Sequence, residues 1–166
     1  MKFPICNVCL KNEILCNACA EKVGNEEIKI DEIDLYRRLN KLLSDQKSFK
    51  DVEIKRAVGK RMLMIITDKN GVSKLIGKDG RIVKKMSNEL DRPVRIVEYM
   101  PDLGNFIREV LFNISVLGIN VVYKPKGKLY KIRIPESDRN KLPISSDILT
   151  SISRSLFNVD IDVVFE

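Results

Sequence analysis

Residues 129–166, LYKIRIPESDRNKLPISSDILTSISRSLFNVDIDVVFE, can be laid under residues 62–99, MLMIITDKNGVSKLIGKDGRIVKKMSNELDRPVRIVEY, at an offset of 66 or 67. Leu142 falls under Leu75, and Ile148, Ile152 and Leu156 fall under Ile82, Met86 and Leu90. Ile161 and Val163 fall under Val94 and Ile96. An apolar pattern repeated at this distance constrains the chain to build one supersecondary unit twice.

The order of elements within the unit follows from the spacing of apolar residues. Ile30, Ile33, Leu35, Leu39, Leu42 and Leu43 predict a helix from about Asp31 to Leu43, with Asp31 available as its cap. The alternation in DVEIKRAV predicts a strand, and Gly59, Lys60 and Arg61 turn the chain into a second strand, MLMIIT. Gly71 is expected to open a short helix through Leu75 and Ile76. After Gly77 and Gly80, the stripe Ile82, Val83, Met86 and Leu90 predicts another helix, which Pro93 ends before the strand VRIVEY. In the second copy GNFIREVLFNI reads as a helix, INVVYK as a strand and PKG as a hairpin turn. The fold class is therefore α+β.

The turn Gly77-Lys78-Asp79-Gly80 joins an aliphatic segment to a basic one. Glycine allows a backbone to approach another molecule without a Cβ in the way, and it adopts positive φ freely. A helix beginning at Gly80 or Arg81 would offer its amides to an anion. Lys78, Arg81, Lys84 and Lys85 surround that position with positive charge, whereas Asp79 sets a carboxylate beside it. Of the net charge of +7, residues 51–100 carry +5 and each flanking part only +1. The excess thus sits around the glycine turn and points to an anionic partner. In the second copy PISSD stands where IGKDG stood, so Pro143 would end the preceding element, and Ser145, Ser146 or Asp147 would cap the next. Lys55, Arg56, Lys60 and Arg61 read equally as a solvated hairpin edge or as contacts to the partner, and KPKGK (residues 124–128) reads first as a hairpin tip.

All four cysteines lie in CNVCLKNEILCNAC, as Cys6, Cys9, Cys16 and Cys19. Two C-x2-C pairs can supply four thiolates to one tetrahedral ion, and structural Zn2+ is the expectation, with an iron site or disulfides as the competing readings. The short spacer requires a compact knuckle. A site closed by four cysteines contributes folding energy and a docking surface rather than catalysis.

The order helix, strand, strand, helix, G-x-x-G, helix, strand resembles the type II KH domain. In that family the G-x-x-G loop clamps the backbone of single-stranded nucleic acid. Two such units in tandem, with VEIKRAV, LIGKDGRIVKKMSNEL, the junction VRIVEYMPDLGNFIREVL with its helix starting at Phe106, and the closing IDVV, resemble the KH pair of the NusA transcription elongation and termination factors. The resemblance runs from about Val52 to the end of the chain. It implies a cytoplasmic protein that binds nascent single-stranded RNA in association with RNA polymerase, and short NusA-like proteins of this kind occur in archaea. A ribosomal-RNA or ribosome-assembly role, with the ribosome as partner, is the alternative.

The expected organisation is a zinc knuckle over 1–28, a KH domain over 29–100 and a second, degenerate KH-like domain over 101–166. Ile76, Gly77, Lys78, Asp79, Gly80, Arg81, Lys84, Lys85 and Arg95 are the candidate RNA contacts, Arg95 being either exposed or placed at the groove. No histidine occurs anywhere, which removes the usual general base near neutral pH, and no motif pairs two carboxylates. The expectation is a binding protein, not an enzyme.

Overall fold

A computed structural model describes residues 1–166. The chain divides into two compact units, Met1–Tyr99 and Met100–Glu166. The first holds α1 (Asn7–Lys11), α2 (Asn17–Gly24), α3 (Ile30–Leu43), β1 (Ile54–Val58), β2 (Leu63–Thr67), α4 (Lys69–Ile76), α5 (Arg81–Leu90) and β3 (Val94–Glu98). The second holds α6 (Leu103–Val110), β4 (Gly118–Lys124), β5 (Gly127–Ile134), α7 (Ser146–Phe157) and β6 (Asp160–Phe165).

Each unit has a three-stranded sheet in sequence order, antiparallel across its first pair and parallel across its second. Ile65 stands opposite Ile96 in one sheet and Ile132 opposite Val163 in the other. Those pairs are related by the repeat offset, so the duplication read in the sequence is a duplication of strand register. In the second unit a 3-10 stretch, Glu136–Lys141, stands between β5 and α7 where the first unit has α4. Pro135 is its N-terminal flank, and Pro143 follows closely after its end. The rings of Phe106 and Phe157 lie 5.1 Å apart and join α6 to α7.

In the first unit, one hydrophobic cluster contains Tyr36 and Leu39 from α3, Leu63 and Ile65 from β2, Leu75 from α4, Met86 and Leu90 from α5, and Ile96 from β3. The helices follow their periodicity, but three local expectations change. Lys29, not Asp31, precedes the first turn of α3, within which Asp31 and Glu32 place negative charge. Gly71 does not open α4. Asp68 caps that helix by accepting from the Gly71 amide at 3.1 Å, and Gly71 is buried inside it, where a Cβ would strike Thr67 and Asp68. Its glycine serves close packing of α4 on β2. Likewise α6 begins at Leu103, ahead of Phe106, because Asp102 accepts from the Asn105 amide at 2.8 Å.

Arg56 is neither a hairpin edge nor an RNA contact, because it is 1% exposed. Its guanidinium forms a bidentate ion pair with Glu32 of α3, the Nε donating to Oε2 at 3.1 Å. The Tyr36 hydroxyl donates to the same carboxylate oxygen at 2.9 Å and accepts from the Ala57 amide at 3.4 Å. Burial first, then the Glu32 charge, pushes the Tyr36 hydroxyl well above the usual phenol range, so it stays protonated and able to donate. A buried ion pair is costly to desolvate, and it holds because both partners and the hydroxyl are satisfied.

Removing one partner leaves the other charge buried. Arg56→Met is expected to destabilise the first unit by about 3–5 kcal/mol in urea unfolding, and Arg56→Met with Glu32→Leu by less than that. A double variant as unstable as the sum of the single ones would contradict this account.

Candidate nucleic-acid interface and metal centre

The α4–α5 turn is built on backbone conformations that ordinary residues avoid. Gly77 has φ 75° and ψ 173°, and Gly80 has φ 73° and ψ 20°. Between them Asp79 has φ 54° and ψ 26°. Aspartate is among the side chains that tolerate this left-handed region best, so Asp79 fits the local geometry of the turn whatever its effect on an anion. The two glycines differ in what they require. A Cβ on Gly77 would lie 2.5 Å from Ile82 Cγ1, whereas one on Gly80 would meet nothing closer than 3.7 Å. Gly77 is needed for space and φ, and Gly80 for φ alone.

The Gly77 amide donates to the Ser73 carbonyl at 2.9 Å and ends α4, and the Gly80 amide returns to the Gly77 carbonyl at 3.2 Å. No side chain caps α5, and no acidic residue lies in its first turn. Lys78, Asp79, Arg81, Lys84 and Lys85 are exposed, and Lys84 Nζ lies 3.4 Å from the Asp79 carbonyl. Ile76 is 37% exposed beside the turn, while Ile82 and Val83 are half-buried against the core. Arrayed here are two Cβ-free positions, an uncapped helix start, four exposed cations and one exposed aliphatic side chain. That combination suits a phosphate backbone with bases lying on an apolar rim. Arg95 is elsewhere in register. It is half-buried opposite Met64, on the sheet face away from Ile96, whose side packs on α4 and α5.

The four cysteine sulfurs lie within 4.8 Å of one another, and Cys6 Sγ is 3.9 Å from Cys16 Sγ. Two thiolates about 2.3 Å from one ion at the tetrahedral angle stand roughly 3.8 Å apart, so the spacing fits a four-thiolate metal site. All four are free cysteines. The two pairs are arranged alike. Cys6 and Cys16 precede α1 and α2 with nearly equal dihedrals, φ -72° and -69°, ψ 162° and 164°. The Cys6 amide donates to Cys19 Sγ at 3.4 Å, and the Cys16 amide reciprocates to Cys9 Sγ at 3.2 Å.

Amide donation from Cys9 pulls the Cys6 thiol down to about 7, and donation from Cys19 lowers Cys16 in the same way. The Cys16 amide also lowers Cys9, but burial and the neighbouring sulfurs outweigh it and push that thiol up to about 12. Burial raises Cys19. Four sulfurs so close cannot all become thiolates without a cation among them, which is the chemistry a divalent ion supplies.

This cluster is part of the first unit's core. Ile5, Cys9, Leu10, Cys19 and Ile28 belong to the same hydrophobic cluster as α3 and the sheet. Arg37 of α3 donates to the carbonyls of Cys9, Asn12 and Glu13 at 3.0, 2.5 and 3.0 Å. Lys22 donates to the Pro4 carbonyl at 2.8 Å, so its ammonium ties the module to itself. The chain start also pairs with the segment before β1, Lys2 exchanging hydrogen bonds with Val52 and Ile54 at 2.9 and 2.8 Å. The role of Arg37 had no local sign, since its acceptors lie more than 20 residues before it in the chain.

Comparison with known proteins decides the fold of the central segment. Residues 23–99 match the family model of the NusA-like first KH domain. The first unit thus holds a KH-like domain similar to that family's. The match begins beyond Cys19, so the metal-fitting cluster lies outside it. Among solved structures, the crystal structure of APE1850 is similar with a TM-score of 0.54 and 21% identity, covering 84% of this chain and 100% of that one. At that identity the likeness concerns the fold, and it extends beyond the NusA-like KH segment. No curated protein matches the chain. No helix is long and apolar enough to cross a membrane.

Two outcomes follow from the geometry. Gly77→Ala should destabilise the first unit more than Gly80→Ala, whose cost is about 1–2 kcal/mol; equal losses in thermal unfolding would contradict the close approach of Ile82. The purified protein should hold a divalent metal that Cys9→Ser and Cys19→Ser lose. Chelation should lower the melting of the whole first unit, read by hydrogen exchange in β2 as well as α1, because the core is shared. Loss of protection confined to residues near the cysteines would contradict that coupling.

Proposed function

We propose that this protein is a single-stranded RNA-binding accessory factor of transcription, NusA-like in acting on elongation or termination. The observation that carries the reading is the match of residues 23–99 to the NusA-like first KH domain, with the Gly77–Gly80 turn at its helix junction. KH modules hold single-stranded nucleic acid through such a loop. In this reading the amides at the start of α5 and the side chains of Lys78, Arg81, Lys84 and Lys85 meet phosphates, while Ile76 supplies an apolar rim beside the bases. Asp79 limits how closely a phosphate approaches and keeps the contact modest. Arg95 belongs to the same surface only if RNA extends around the sheet. The cysteines bind structural Zn2+, and three functional parts divide the chain at 1–28, 29–100 and 101–166. The partner is RNA polymerase and the setting the cytoplasm; ribosome association is the alternative, separated by which subunits co-purify.

Binding is tested by fluorescence anisotropy of the zinc-loaded protein with short single-stranded RNAs at several salt concentrations. The loop region, meeting about two to four phosphates, is expected to contribute about -1.5 to -3 to the log-log salt slope. Lys78→Asp is expected to weaken binding by about tenfold or more with the fold intact, the size of one lost charge-assisted contact. Unchanged affinity in that variant would remove the loop from the RNA contact.

A further inference from the structure

The hairpin joining β4 to β5 is where the second unit outgrows the first. β4 and β5 have seven and eight residues, whereas β1 and β2 have five each. Ile65 and Ile132 occupy the same register position, and each is followed by two more strand residues. The additional length of β5 therefore lies entirely at the hairpin end.

This extension leaves the core. Ile132 and Ile134 are buried, but β4 is exposed from Asn120 to Lys124. Tyr123 is 77% exposed, with Val121 and Val122 beside it on opposite faces of the strand. Lys128 is its cross-strand partner and holds Nζ 5.6 Å from the centre of the ring. Lys124 and Lys126 flank Pro125 at the tip. Residues 110–135 contain no aspartate or glutamate.

A solvent-facing aromatic ring among unopposed cations is a poor way to end a hairpin that has no partner, since it leaves apolar surface wet and like charges crowded. It suits a single-stranded polyanion, whose bases stack on the ring while its phosphates meet the lysines. The second unit lacks the glycine turn, so an RNA contact there would need another element.

We propose that the β4–β5 hairpin is a second contact for single-stranded nucleic acid, with Tyr123 stacking on a base and Lys124, Lys126 and Lys128 meeting phosphates. The proposal rests on the chain being an RNA-binding protein, and the loop and the hairpin are therefore probed separately. Full-length, metal-loaded protein is titrated with labelled oligouridine and oligoadenine of about 12 nucleotides, a length within the usual range of single-strand sites. Four variants are compared at several salt concentrations: Tyr123→Ala, Tyr123→Phe, the triple change of the three lysines to Gln, and Lys78→Asp. Circular dichroism monitors folding.

Tyr123→Ala should bind about fivefold more weakly or worse, and Tyr123→Phe, which keeps the ring, should bind as the wild type does. The triple variant should reduce the magnitude of the log-log salt slope by about 2. If Lys78→Asp weakens binding while Tyr123→Ala and the triple variant bind normally, the hairpin proposal falls and the loop reading stands. If the wild type binds neither oligomer, both fall. If the hairpin variants keep their RNA affinity but lose capture of purified RNA polymerase or ribosomes, the hairpin is a protein-docking element and the proposal is overturned.

Discussion

The conformation of one turn governs the surface this protein presents. Three of the four residues from Gly77 to Gly80 have positive φ, and Gly77 lies so near Ile82 that no side chain fits there. This backbone lets α4 end and α5 begin within a single 3-10 turn, while Leu75, Met86 and Leu90 all reach the same core. The buried sides of the two helices fix the turn, and their exposed sides leave Lys78, Arg81, Lys84 and Lys85 facing solvent. A loop mounted in this way is preorganised, and little ordering entropy remains to be lost when an anion binds.

That platform extends to the cysteine cluster through α3. On one side Arg37 grips carbonyls between the two cysteine pairs; on another Glu32 and Tyr36 hold Arg56 of β1. Cys9 and Cys19 are themselves core residues. A metal held by these sulfurs would couple its binding to folding over the unit that carries the loop, because thiolate ligands must be deprotonated and gathered before the surrounding apolar residues can close over them. The cysteine module is thus a structural part of the KH-bearing unit.

The architecture was legible where it depends on local periodicity. The stripe from Ile82 to Leu90, the strands around Ile65 and Ile96, and the repeat offset all reappear as elements in matching register. The turn was legible because its glycines interrupt that pattern, and the cysteine pairs because their spacing is chemical rather than conformational. What could not be read depends on distant partners. Arg56 looks like a hairpin charge until Glu32, 24 residues earlier, is brought against it. Gly71 looks like a helix opener until Thr67, Asp68 and Val52 close around it. The joining of the cysteine segment to the KH core rests on Ile5 and Ile28, isolated apolar residues whose destination no spacing reveals. Periodicity reports which face of an element is buried; it does not report against what.

The most direct measurement is a two-dimensional 15N–1H NMR titration of the metal-loaded full chain with a short single-stranded RNA. Saturable shifts are expected at the amides of Gly77 through Lys84, with Arg56 and the cysteine amides unmoved. Saturable binding that leaves those loop amides unperturbed would contradict this expectation.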